Sequence, residues 1–328
     1  MNVTIARRTV LAAALLACGL AAQAEEAVIN AVHFAPAQSS YAKSFLKYVE
    51  TVNARGKGVV RIQVRGGPEV MPILQLGEAQ KNGLIDMLDA APGLYLNIVP
   101  EGEVFSVTTK KPWELRANGG WDLVDRIFGE KANAHILAHV DGGTGFHIFT
   151  VAEPARTAEG EIDFAKLKVR SAPLYRDFLE AIGATPVVQG PGEAYTSLER
   201  GLVNAHAYSV LGYSAFGWDK FTRFRIDPSF GQTDVLITMN RKKWDSLSPE
   251  AKKILSDTAM EHERASFAAN ASDTKAEGDA MIAKGMKVVT MPDAQRKRYE
   301  AAAVKASWDR LAKRDPANVP ALKAKFAD

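Results

Sequence analysis

The chain has 328 residues, 47% hydrophobic and 24% charged, with a formal net charge of +3. This composition supports a buried core in one large or two medium domains. So small and evenly spread a charge excludes a basic nucleic-acid surface, and the lack of Gly/Ser- or Pro-rich tracts excludes domains strung on a loose linker.

Arg7 and Arg8 precede an apolar run from Val10 to Ala22 that ends in Ala22-Gln23-Ala24. A positive start, an apolar centre and an A-x-A site predict a secretory signal peptide over 1–24, cleaved after Ala24, and hence a periplasmic protein. The run is too short to span a bilayer comfortably. Cys18, the single cysteine, falls inside it, so the mature chain has no thiol for a disulfide or a metal. An alternative makes Leu15-Leu16-Ala17-Cys18 a lipobox, although apolar residues rather than a polar tether follow Cys18. Arg7-Arg8 also resembles a twin-arginine signal, which leaves the export route open.

Further along, Val28 to Ala35 reads as a strand, and Phe45, Val49 and Val52 give Tyr41 to Asn53 helical spacing. Val59 to Arg65 alternates as a strand, Leu74 to Lys81 reads as a helix, and Leu84-Ile85-Asp86-Met87 as a short buried strand. This alternation is the grammar of a parallel α/β sheet. It resumes with strands at Ile136–Val140, His147–Val151, Leu167–Arg170, Pro186–Gln189, Leu202–Tyr208 and Val235–Met239. Between them lie helices at Tyr175–Ile182 and Glu193–Arg200. From Pro249 almost to Lys284 the sequence is helical, about 50 Å at ~1.5 Å per residue, long enough to brace two lobes. The expected division is 25–148 with 235–275 in one lobe, and 149–234 with 276–328 in the other.

Arg170 ends a strand of small and apolar residues, and Pro173 forbids its extension. An arginine at the carboxyl end of such a strand points into the crevice where open α/β sheets bind ligands. Its planar fork of donors suits a carboxylate and stays protonated. The other reading is a structural arginine paired with an internal Asp or Glu.

Three stretches carry a family resemblance: Phe164-Ala165-Lys166-Leu167-Lys168-Val169-Arg170, Ala181-Ile182-Gly183-Ala184-Thr185-Pro186, and Glu193 to Ala205. With Gly83-Leu84-Ile85-Asp86 and Asn240 to Pro249, their order and spacing resemble the substrate-binding proteins of tripartite ATP-independent periplasmic (TRAP) transporters. The resemblance implies a two-lobed periplasmic-binding-protein-like α/β fold with a hinge, which closes on an organic acid and delivers it to membrane permease subunits. It implies that Arg170 salt-bridges the ligand carboxylate. His147 stands near where members that bind sialic acid carry a second arginine, and Tyr208 where many carry an amide. Both departures replace polar donors with rings.

The expected ligand is therefore a monocarboxylate with an apolar or aromatic body, a C4-dicarboxylate or pyroglutamate-like acid being the alternative. Phe34, Tyr95, Phe146, Tyr208 and Trp218 are available to line its pocket, or to fill the core. Gly67 follows the second strand and Asn240 the strand Val235–Met239, so both are expected at the cleft. Glu193 either caps its helix or reaches the ligand.

Enzyme motifs are lacking. His135 and His139 would stand about 13 Å apart on a strand, too far to share a metal. Gly143-Thr144-Gly145 lacks a third glycine, and Gly212-Tyr213-Ser214-Ala215-Phe216 fails the nucleophile elbow at its last position. The sequence thus predicts a monomeric receptor with no metal or cofactor; a periplasmic enzyme or a ligand sensor is the rival class.

Overall fold

The structure, a computed structural model, describes residues 25–327, so the predicted signal peptide with Arg7, Arg8 and Cys18 lies outside the described residues. In chain order the strands are β1 (Ala27–His33), β2 (Val60–Gly66), β3 (Met87–Ala90), β4 (Ala134–Val140), β5 (Phe146–Thr150), β6 (Lys168–Ser171), β7 (Thr185–Val188), β8 (Ala205–Ser209), β9 (Phe224–Phe230), β10 (Val235–Asn240) and β11 (Lys287–Thr290). They form two sheets, a five-stranded one in the order β2-β1-β3-β10-β4 and a six-stranded one in the order β11-β9-β5-β8-β6-β7. Helices cover both faces of each, which makes two α/β lobes.

Each sheet is parallel except for one reversed strand, β10 in the first and β5 in the second. These two strands directly follow the points where the chain changes lobe, at Asp141–Gly145 and Gly231–Asp234. A chain leaving the carboxyl end of a strand enters the next sheet from the same side and must run away from it. The expected parallel sheets are therefore mixed, and the first crossing precedes β5 rather than falling within it.

The crossings are tied together. Thr233 N donates to Thr144 O at 2.7 Å, and Thr233 Oγ1 to Asp141 O at 2.8 Å. Asn270, on the long helix Pro249–Ala283, donates to Asp141 O at 2.8 Å and Gly142 O at 3.1 Å. Ser248 caps this 35-residue helix by accepting Ala251 N, and Pro249 occupies its first turn. Ala251, Leu255 and Ala259 join the first lobe's core, Phe267 and Asn270 lie at the crossings, and Met281 joins the second lobe's core. The helix Asp293–Arg314 then returns, with Tyr299 and Ala303 in the second core and Trp308 and Leu311 in the first. Leu322 and Phe326, on the last helix Val319–Phe326, pack in the first lobe beside Phe105 and Trp121. The assignment of all of 276–328 to the second lobe is corrected accordingly: amphipathic periodicity shows that a helix buries a face, but not which core receives it.

Asp141 is the hub of the hinge. Its Oδ1 accepts from Ser44 Oγ at 2.7 Å, its amide donates to Ser266 Oγ, and Oδ2 is buried without a partner. Burial, opposed by the Ser44 bond, raises its pKa to about 7. An acid raised on folding makes the native state bind the proton more tightly than the unfolded chain. This contribution favours the fold at low pH and is lost as pH climbs from about 4 toward 7. Asp141→Asn, which tolerates the same left-handed backbone (φ 53°), is expected to match wild type near pH 4. It should exceed wild type by roughly 2 kcal/mol at pH 5.5, with the gap widening toward neutrality. Urea unfolding at several pH values measures the gap, and a pH-independent difference would contradict it.

Candidate functional site

The carboxyl ends of β3 and β6 face each other between the lobes. The turn after β3, Pro92–Leu94, packs on the turn after β6, Pro173–Tyr175, so closely that a Cβ on Gly93 would sit 3.3 Å from Leu174 Cβ. Arg170 lies at this junction, 2% exposed. Its Nη1 makes long contacts of 3.5 Å to Tyr175 Oη and 3.4 Å to His206 Nε2, and Nη2 donates to Gln189 O. Nε has no partner, and no carboxylate approaches the guanidinium within salt-bridge distance among the described residues. Of five N–H donors, Nε–H and one on Nη2 stay uncommitted. That edge is the one Arg225 uses for both oxygens of Asp227, at 2.9 and 3.0 Å. A buried guanidinium with an idle fork has the donor geometry that suits a carboxylate.

His206, its neighbour on β8, escaped the sequence reading. Burial first, and then the charge of Arg170, hold its pKa well below the usual histidine value. The ring is thus neutral; with Nε2 turned to a permanent donor, the proton sits on Nδ1, which is buried and unpartnered. Strand alternation, which puts His206 and Tyr208 on one face, was the available signal. Trp218 stands edge-on to both rings, at 4.3 and 4.8 Å, and Phe216 stacks on Trp218 at 4.4 Å. Tyr208 is half-buried within this aromatic wall. From the first lobe, Tyr41 Oη bonds Ser209 Oγ at 3.2 Å, and Phe34 packs 5.8 Å from the Tyr41 ring. A cavity of about 450 Å³ opens beside Tyr41, bounded by Leu211, Gly212 and Ala215 of the second lobe and by the long helix from His262 to Glu277.

The remaining predicted residues divide. Phe34 is tied to the β3 tip by its amide, which donates to Asp89 O at 2.9 Å. Gly67 closes over the end of β1, where a Cβ would meet His33 Cε1 at 2.6 Å. Tyr95 is buried edge-on to Phe128, with its hydroxyl unpartnered. Phe146 packs 5.2 Å from Tyr175. His147 shares the Tyr208 face, opposite it in register, but its Nδ1 is 2.9 Å from Asp227 Oδ1 and 3.1 Å from Ile226 O. Although burial opposes it, the contacts from His147 and Arg225 bring Asp227 down to about 2.

One open alternative is decided and one expectation is corrected. Glu193 is exposed and accepts Gly190 N at 2.8 Å, capping its helix. Asn240 lies at the far end of the first sheet, because β10 runs antiparallel. There it caps the helix Arg241–Asp245 through Lys243 N and donates to Gln80 O at 2.8 Å. Among the described residues no group of three or more His, Cys, Asp or Glu could hold a metal, and no helix is long and apolar enough to cross a membrane.

Comparison with known proteins agrees with this architecture. The profile of bacterial extracellular solute-binding protein family 7 (DctP) matches residues 31–315. The chain is 24% identical over 290 residues to the 2,3-diketo-L-gulonate-binding periplasmic protein of Escherichia coli, covering 85% of each. It is 20% identical over 230 residues to the ectoine-binding periplasmic protein of Halomonas elongata, covering 68% of this chain and 65% of that one. An extracytoplasmic solute receptor of Bordetella pertussis that binds pyroglutamic acid superposes with a TM-score of 0.78 at 15% identity, over 92% of this chain and 99% of its own. A TRAP periplasmic solute-binding protein of Desulfovibrio salexigens with bound orotic acid gives 0.78 at 17%, over 92% and 99%. With the profile spanning most of the chain and the two lobes meeting over a buried arginine, the chain belongs to bacterial extracellular solute-binding protein family 7, the solute-binding proteins of TRAP transporters.

Proposed function

We propose that, once residues 1–24 are removed on export, this protein captures a small organic acid between its lobes and hands it to membrane permease subunits without altering it. The observation that carries the reading is Arg170, buried at a cleft-facing strand tip with no acid within salt-bridge distance among the described residues. Closure follows from differential affinity: an anion held by the second lobe and touched by the first stabilises the closed state over the open one. Relatives that bind pyroglutamic acid, orotic acid and ectoine support a compact ligand.

A monocarboxylate with an apolar or aromatic body fits better than a dicarboxylate. Arg310, the other buried arginine, is committed to Glu103, and His147 to Asp227, so neither is idle for a second carboxylate. The half-buried rings of Tyr208 and Phe216, backed by the buried Trp218, provide an aromatic wall for a planar body. Calorimetry with the mature protein against benzoate, picolinate, pyroglutamate, orotate and succinate tests this. Binding of at least one cyclic monocarboxylate, tighter than succinate by tenfold or more (~1.4 kcal/mol), is expected. Tight succinate binding with no response to the cyclic acids would reject the monocarboxylate reading, and turnover of any bound acid would reject a pure receptor.

A further inference from the structure

Arg170 has a counterpart on the other lobe. It is the third residue of the four-residue strand Lys168-Val169-Arg170-Ser171; Asp89 is the third of the four in Met87-Leu88-Asp89-Ala90. The turns after these strands are the ones that pack together through Gly93 and Leu174. Asp89 is 0% exposed, yet neither of its carboxylate oxygens has a partner, and no cation stands within ion-pair distance among the described residues. The acid that acts on it electrostatically is Asp141; with burial as the larger cause, its carboxyl is raised well above the ordinary range. A fully buried acid without donors is as costly as a buried guanidinium without an acceptor, and such groups gather where a ligand supplies what is missing.

Among the buried polar atoms without partners, two opposite groups stand at the facing strand tips. On the first-lobe side, acceptors stand idle: both oxygens of Asp89, with Asp141 Oδ2 and Asp234 Oδ2 at the crossings. On the second lobe, around Arg170, the idle groups are the donors Arg170 Nε and His206 Nδ1 and one acceptor, Gln189 Oε1. A plain carboxylate answers the second lobe alone.

We propose that Asp89 is a second anchor of the cleft, receiving an N–H or ammonium group, so that the preferred solute is a compact cyclic acid with its carboxylate on Arg170 and a nitrogen donor on Asp89. The proposal rests on the cleft being the ligand site, and it narrows the solute class to amino, imino or lactam acids. Asp89 thereby sets specificity, while Arg170 supplies the charge common to all acids. Each lobe contributes one anchor, Arg170 as a charge and Asp89 as an acceptor, so only a ligand bearing both groups is held from both sides.

Matched pairs differing in the nitrogen test this: pipecolate against cyclohexanecarboxylate, and pyroglutamate against its ring-oxygen lactone, each titrated calorimetrically into wild type, Asp89→Asn and Arg170→Ala. Wild type is expected to prefer the nitrogen-bearing member by ~10-fold or more. Asp89→Asn should shrink that ratio severalfold while retaining the nitrogen-free acid, and Arg170→Ala should lose both members. Equal affinities within the pairs for wild type, or an unchanged ratio in a folded Asp89→Asn, overturns the Asp89 proposal; the wild-type comparison decides even if that variant fails to fold. If Arg170→Ala still abolishes binding, the carboxylate reading stands alone. If Arg170→Ala binds like wild type, it is the underlying reading that falls.

Discussion

Arg170→Ala is expected to lose at least ~100-fold in affinity for every acid that the protein binds, about 3 kcal/mol or more for a desolvated, charge-assisted fork. Arg170→Lys should fall in between, since it keeps a charge but not the planar pair of donors. The ligand-free protein should hardly notice. Because Arg170 has no acid partner, its removal relieves a desolvated charge as well as leaving a cavity, so the melting temperature without ligand should stay near that of wild type. Titration calorimetry and a thermal melt on the same sample separate the two effects. Affinity within a few-fold of wild type would remove Arg170 from the mechanism.

Arg310 makes the opposite case from the same residue type and similar burial. It sits 6% exposed on the helix Asp293–Arg314. Nε donates to Glu103 Oε2 at 2.9 Å, Nη2 to Glu103 Oε1 and to Leu174 O, and Nη1 stands 3.4 Å from Asp177. Glu103 belongs to the first lobe, Leu174 and Asp177 to the second, so one side chain spans both. Despite Arg310, burial leaves the Glu103 carboxyl raised, a sign of how much its environment disfavours charge. Arg310→Ala strands that carboxyl and should cost roughly 3–5 kcal/mol, whereas replacing both partners by methionine should recover much of the loss. Denaturant melts of the two variants check this. An Arg310→Ala protein within 1 kcal/mol of wild type would show that the pair is not structural.

Arg170 was legible in the sequence because its chemistry and its place coincide: one charge at the end of a short apolar strand, with a proline just beyond. Asn240 was misplaced because periodicity identifies a strand but not its direction, and β10 enters its sheet reversed. Asp89 went unnoticed because the strand was expected at 84–87 and forms at 87–90. Asp86, read as part of it, instead accepts Asn30 N at 2.8 Å at the opposite end. β9 was missed altogether, since Pro228 interrupts a pattern that otherwise alternates. The long helix, by contrast, is continuous in sequence and was bounded within a residue at its end. Local chemistry survives the step from sequence to structure; strand direction and the pairing of distant segments depend on contacts that no single stretch contains.

The route of β11 has a practical consequence. Residues 146–230 leave and re-enter the first lobe through adjacent crossings, so they look like an insert that could be cut out whole. Yet the outer margin of their sheet is completed by Lys287–Thr290, which pairs with β9 in parallel only after the long helix has run its course. An excised 146–230 fragment would leave the backbone amides and carbonyls of β9 bare along one side and should self-associate. A soluble half-receptor would need Lys287–Thr290 grafted back beside β9.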